Sequence, residues 1–127
     1  MGNDRSERVD HNETISIGDN RSVTIGANKT ETIGLGKALT IGAAYQTSVG
    51  AAMNTSVGLS QSDQVGLHKS VVVGKRFTID AGDEFTDTVG KSTLTMKSDG
   101  TVLINGRTFD FSATGAVQIN GKDVDIN

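Results

Sequence analysis

The chain has 127 residues and a net charge of −3, with 16 Gly, no Cys, no Pro, no Trp and 4% aromatic residues. The length suits one ordinary domain, but so few large side chains leave little to fill a globular core. The lack of Cys excludes a disulfide framework and thiol chemistry, and charges of both signs spread along the chain point away from an electrostatic nucleic-acid binder.

The first residues, Met1-Gly2-Asn3-Asp4-Arg5, lack the basic-then-apolar order of a signal peptide. Residues 1–11 are expected to be a disordered or vector-derived N-terminus, or a cut from a longer chain. No apolar run approaches the length of a transmembrane helix.

Residues 12–97 read as an octapeptide repeat. Gly18, Gly26, Gly34, Gly42, Gly50, Gly58, Gly66, Gly74, Gly82 and Gly90 follow one another at a spacing of eight. Before each stands Ile17, Ile25, Ile33, Ile41, Val49, Val57, Val65, Val73, Ala81 or Val89. Self-similarity at a fixed period is the signature of a repeat architecture. A helix is disfavoured, because Gly, Thr, Ser, Val and Ile cost about 0.5–1 kcal/mol at many positions. Alternating β-branched stretches such as Ser22-Val23-Thr24-Ile25 are strand-like. Each octad then holds a short strand and a corner. Gly is expected to relieve the corner with positive φ, and Asn20 and Asn28 suit the left-handed region.

Alternation places the residue before each Gly and the residue three before it on one face. The first set gives the expected core: Ile17, Ile25, Ile33, Ile41, Val49, Val57, Val65, Val73 and Val89, continued by Ile104 and Ile119. The second set includes Glu31, Asp63 and Asp87. Those carboxylates either converge on an axis, with water or a cation between Thr47 and Asp63, or bend toward the corner into solvent. Lys29, Lys37, Lys69 and Glu13 share the position five before Gly and read as a solvated face.

Residues 98–127 change rhythm. Ser98 to Phe111 and Ala113 to Ile126 align as two copies fifteen residues apart, with Asn105-Gly106 matching Asn120-Gly121. Strand spacings of eight and then seven predict the same winding carried on to the end. Asn-Gly is a hairpin signal, but here it is expected to mark a corner, with no boundary after about residue 11.

A flat ladder of such strands would leave open edges. Two windings remove them. One chain could form a triangular solenoid with three octads per turn, or three chains could intertwine. The Gly and Ile/Val positions lack the 24-residue modulation that three distinct faces would give, which favours the second. The expected fold is therefore all-β: an intertwined triple-stranded β-helix, a triangular prism formed by a homotrimer. Some fourteen layers would rise on the order of 65 Å.

The run Val23-Thr24-Ile25-Gly26-Ala27-Asn28-Lys29-Thr30-Glu31-Thr32-Ile33-Gly34 resembles the C-terminal β-helix of the VgrG (valine–glycine repeat) spikes of the bacterial type VI secretion system. It is similar to contractile-phage tail-spike needles as well. The resemblance covers about Asn12 to Asn127. It implies a homotrimeric, membrane-puncturing needle that carries a PAAR-repeat tip protein and effectors. By position, Lys122, Asp123, Val124, Asp125, Ile126 and Asn127 would form the tip-docking surface. It further implies tail-tube or hub partners through a missing N-terminal part, and transient contact with a target-cell membrane. The location would be bacterial cytoplasm before firing, then the extracellular space or the target cell. In many phage needles one residue separates Val from Gly, whereas here Gly follows Ile or Val directly.

No nucleotide-loop, zincin or nucleophile-elbow motif occurs in the sequence. His11 and His68 lie far apart and read as surface residues. Phe77, Phe85, Phe109 and Phe111 read as core or corner packing. No catalytic residue, metal site, cofactor or nucleic acid is expected, and the chain reads as not an enzyme. The alternative is a trimeric phage tail spike, fibre or adhesin stalk that binds a surface receptor.

Overall fold

The structure is a computed structural model that describes residues 2–127. The part of the expected N-terminal lead that falls on Met1 lies outside the described residues. The fold is all-β, with three antiparallel strands and no helix among the described residues. The chain divides into two units, Met1–Leu59 and Ser60–Asn127.

The first unit is built from octads alone. The chain bends at each phased Gly and at the residue after it, from Gly18-Asp19 through Gly58-Leu59, and the same bend occurs in phase at Asp10-His11. Six unbent residues separate successive bends. The reason for Gly at the bend differs from the one the sequence suggests. Among the described residues only Gly90 and Gly100 have positive φ, and no other residue type does. Asn20 and Asn28 are therefore not left-handed, and the glycines from Gly18 to Gly82 are not there for φ. Nor does the chain itself crowd them, since a Cβ added at any of these would meet nothing within 4 Å.

The second unit begins with the same octads, bending at Gly66-Leu67, Gly74-Lys75 and Gly82-Asp83. The winding expected to run unbroken then gives way. Strand β1 (Glu84–Val89), β2 (Ser92–Lys97) and β3 (Val102–Asn105) form an antiparallel meander in the order β1-β2-β3. Val89 pairs with Ser92 across the two-residue loop Gly90-Lys91. Gly90 has φ of 56° while Lys91 does not have positive φ. Positive φ at the first central residue alone belongs to the II′ hairpin turn, whose twist matches that of the strands it joins. Gly90 thus stands in phase with the octads by number but performs a different task.

The second reversal uses Ser98-Asp99-Gly100. The Gly100 N–H donates to the Lys97 carbonyl at 3.1 Å and the Lys97 N–H to the Thr101 carbonyl at 3.0 Å. Gly100, with φ of 89°, lets the chain re-enter the ladder. The Asp99 carboxylate accepts the Thr101 N–H at 2.9 Å and braces the loop. Hydrogen bonds from Thr101, the backbone one first, hold the Asp99 carboxyl below the usual carboxylate range. The matching second copy makes no such turn: Thr114-Gly115 is a bend and Val117 to Asn120 pair with no strand among the described residues. The two copies are alike in sequence and different in structure. After Asn105-Gly106 no strand returns, so this Asn-Gly is not a hairpin.

Cross-strand partners share a face of a sheet. Phe85, Met96 and Val102 stand in register, as do Asp87, Leu94 and Ile104. With Val89 and Ser92 they make one largely apolar face. The opposite face carries Glu84, Thr86, Thr88, Thr93, Thr95, Lys97, Leu103 and Asn105. Beyond the sheet, the rings of Phe109 and Phe111 stack 6.2 Å apart with 4° between their planes. Phe109 also covers Gly106, where an added Cβ would sit 3.4 Å from the ring.

Candidate trimer interface and tip

No side chain among the described residues is buried. The chain exposes 14065 Å², against about 6,400 Å² for a compact monomer of this mass by the usual scaling. Backbone hydrogen bonds among the described residues are confined to the meander and its turns. Among the described residues the octads form none. A strand-like backbone with no ladder and no core does not recover the entropy lost in ordering it. What completes it has to come from outside the chain.

The residues before the glycines show where. Ile17, Ile25, Ile33, Ile41, Val49, Val57, Val65 and Val73 are alike in exposure, between 45% and 51%. Each is half covered by its own chain and half open, in the same way at every repeat. Leu35 and Leu59, directly after a Gly, are fully exposed instead. The first set therefore forms a half-finished apolar series, repeated in the same way within each unit. Val89 and Ile104 lie on the apolar face of the meander and line one hollow with Asp87 and Leu94. Ile119 stands on the unpaired stretch beyond and is 69% exposed.

The acidic positions behave as a set as well. The Lys37 Nζ donates to the Glu31 carboxylate at 2.6 Å, with Lys29 3.8 Å away. Lys69 pairs with Asp63 in the same relation, six residues on. A carboxylate three before one Gly thus meets a lysine five before the next. The Lys37 hydrogen bond, then its charge, lowers the Glu31 pKa, and the same pair raises that of Lys37. All these groups are exposed, so solvent screens the gain. Asp87 has no such lysine and sits among apolar neighbours on its sheet.

At the chain's end the backbone bends at Lys122. A Cβ on Gly121 would lie 3.2 Å from the Asp123 carbonyl and 3.8 Å from Val124 Cγ2, so the turn closes over bare backbone. Val124 and Ile126 are exposed apolar side chains two residues apart, with Asp123 and Asp125 alternating between them. Among the described residues no three His, Cys, Asp or Glu side chains are grouped to hold a metal ion. His11 and His68 are exposed.

An open apolar stripe on a repeating, ladderless backbone is what a self-associating strand would present. The family model for the bacteriophage T4 gp5 C-terminal trimerisation domain matches residues 1–65, just over half of the chain. The chain belongs to this family. A search of curated proteins finds no match. Membership in the gp5 C-terminal trimerisation family supports a homotrimer and a trimeric, phage-spike-like structural protein.

Sequence reasoning missed the meander. Its signal is present: two alternating runs flank Gly90-Lys91, and an Asp-Gly pair follows the second. The apolar residues also change parity at that point, from odd numbers (Phe85, Val89) to even ones (Leu94, Met96, Val102, Ile104). A two-residue reversal produces that change, whereas an eight-residue winding preserves parity.

Proposed function

We propose that the chain is a segment of a cell-puncturing spike, in which three copies intertwine as a triangular β-helix. The observation that carries this reading is the octad backbone, which among the described residues has no hydrogen-bonded partner yet presents a half-covered apolar side chain at nearly every repeat. Intertwining gives each strand neighbours from the other copies and turns the stripe inward. The glycines gain a reason, because a neighbouring backbone can approach closely where no Cβ stands. Many interchain bonds must then break together before strands separate, which suits a part that bears load.

The fuller reading is a type VI secretion spike of the VgrG kind. The Ile/Val-Gly repeat and membership in a phage-spike family support it. In this reading Lys122 to Asn127 form a blunt end. Val124 and Ile126 dock a PAAR-repeat tip protein, which carries effectors, and hub components join at the other end. The spike acts by mechanical penetration, not catalysis, and travels from bacterial cytoplasm to the target cell. The family match equally favours a second reading, a tail spike of a phage particle.

Light scattering on the purified chain tests the assembly. Three chains of 13.2 kDa give about 40 kDa; a folded species at the mass of one chain would overturn the reading. Capture of a PAAR-repeat protein tests the tip. Removal of Val124 to Asn127 is expected to abolish it, and unchanged capture would remove the docking role.

A further inference from the structure

We propose that the apolar face of the β1–β2–β3 sheet is a contact among the three copies of this chain, and that this contact sets the register in which their octads pair. The inference rests on the intertwined trimer proposed above and adds to it a second surface with a separate task.

The octads cannot set register well by themselves. From Gly18 to Gly82 each bend is the same and nearly each preceding residue is Ile or Val. A copy displaced by eight residues would meet the same stripe and the same bends, losing contacts only at the ends. Register is weakly specified wherever the pattern repeats. A unique element has to break the degeneracy.

The sheet is such an element. Among the described residues it is where the chain pairs with itself. Its loops are short, and hairpins of this kind close in about 1–10 μs, before chains meet. It cannot complete itself, however. Phe85, Val89, Leu94, Met96, Val102 and Ile104 share one face, and a small sheet needs its apolar face covered to be stable. Two open hollows of about 190 and 220 Å³ mark that face.

Continuity identifies what covers it. Ile79 and Ala81, on the octad stripe of the same unit, line the first hollow together with Phe85 and Met96. The stripe therefore runs directly onto the sheet. Whatever encloses the stripe encloses the sheet face, and in a trimer that is the same surface of the other copies. Asp87, in register between apolar neighbours, is the one charge there. It opposes indiscriminate association of single chains, and it weakens the contact once made.

The sequence has no cysteine, so a single Ala51→Cys spin label reports interchain distance. In the parent trimer one distance population is expected. Replacing Leu94 and Ile104 together with Asn is expected to slow assembly by about tenfold or more, and to split the distances into more than one population, because each octad of slip moves a copy roughly 4.8 Å along the axis. Thr86→Asn with Thr95→Asn, on the opposite face, is expected to change neither. A Leu94/Ile104 variant that assembles at the parent rate with one distance overturns the proposal. Should that variant not assemble, Asp87→Leu decides: faster assembly upholds the contact and an unchanged rate rejects it. Val57→Asp separates the octad assembly from the register role of the sheet. A trimer that survives it refutes the intertwined octads themselves, whereas a trimer lost to it alongside silent sheet variants refutes only the register role.

Discussion

The octads and the meander solve the same backbone problem in opposite ways. Glu84 to Asn105 reverse twice and satisfy their own ladder, with Gly90 and Gly100 at positive φ to make the turns possible. The octads never reverse, spend no glycine on positive φ, and leave their ladder unmade. A glycine within a turn answers to its own chain. A glycine that its own chain neither strains nor crowds gets no reason from that chain, and under the proposed intertwining the reason is a neighbouring copy. The difference shows that one residue type at one spacing can serve two physical purposes, and that local geometry tells them apart.

The largest expected effect lies at the apolar stripe. Val57→Asp is expected to abolish trimers in light scattering. The lost burial alone amounts to about 1.5–3 kcal/mol per chain, and three carboxylates brought together add to it. The two turn glycines come next. Gly90→Ala and Gly100→Ala place a side chain in a left-handed conformation, at a cost of about 1–2 kcal/mol each. Thermal melts are expected to shift down for both, with the stripe still assembled.

Gly58→Ala sharpens the contrast by its sign. Within the chain nothing lies within 4 Å of the new Cβ. If no other copy approached, the substitution would stabilise by about 0.4–1 kcal/mol through the unfolded state. Destabilisation is expected instead, and a raised melting temperature would remove the close approach. Lys37→Met is expected to have the smallest effect, because its pair with Glu31 is exposed. Its signature is pH dependence. The lowered Glu31 pKa gives a contribution present above the unfolded glutamate value and lost as pH falls through the folded one. Lys37, raised, contributes below its ordinary value and loses that as pH climbs through the raised one. Lys37→Met should flatten the acid part of that profile, and added salt should mimic it.

Much of the octad region is legible in the residues themselves. Ile17-Gly18, Ile25-Gly26 and their successors give the period, and the bends fall on those glycines. The half-covered stripe follows from alternation and needs no tertiary information. The meander is less legible, because Val89-Gly90 satisfies the octad pattern as well as Val73-Gly74 does. Only the parity change from Phe85 to Leu94 separates them. The fifteen-residue similarity misleads for a related reason. Gly100 follows Asp99 and faces a waiting strand, whereas Gly115 follows Thr114 and faces none. The pairing of Glu31 with Lys37 and of Asp63 with Lys69 was out of reach, since a bend stands between the partners and spacing along a strand does not predict contact around a corner.

By itself the amino-acid order determined the period, the apolar stripe and the want of a private core, since these are matters of composition and alternation. Tertiary structure alone decided where the chain turns back on itself and which glycines carry positive φ. The reason is that a reversal depends on a partner strand being in place to receive it, and pairing is a property of two segments in space that neither encodes alone.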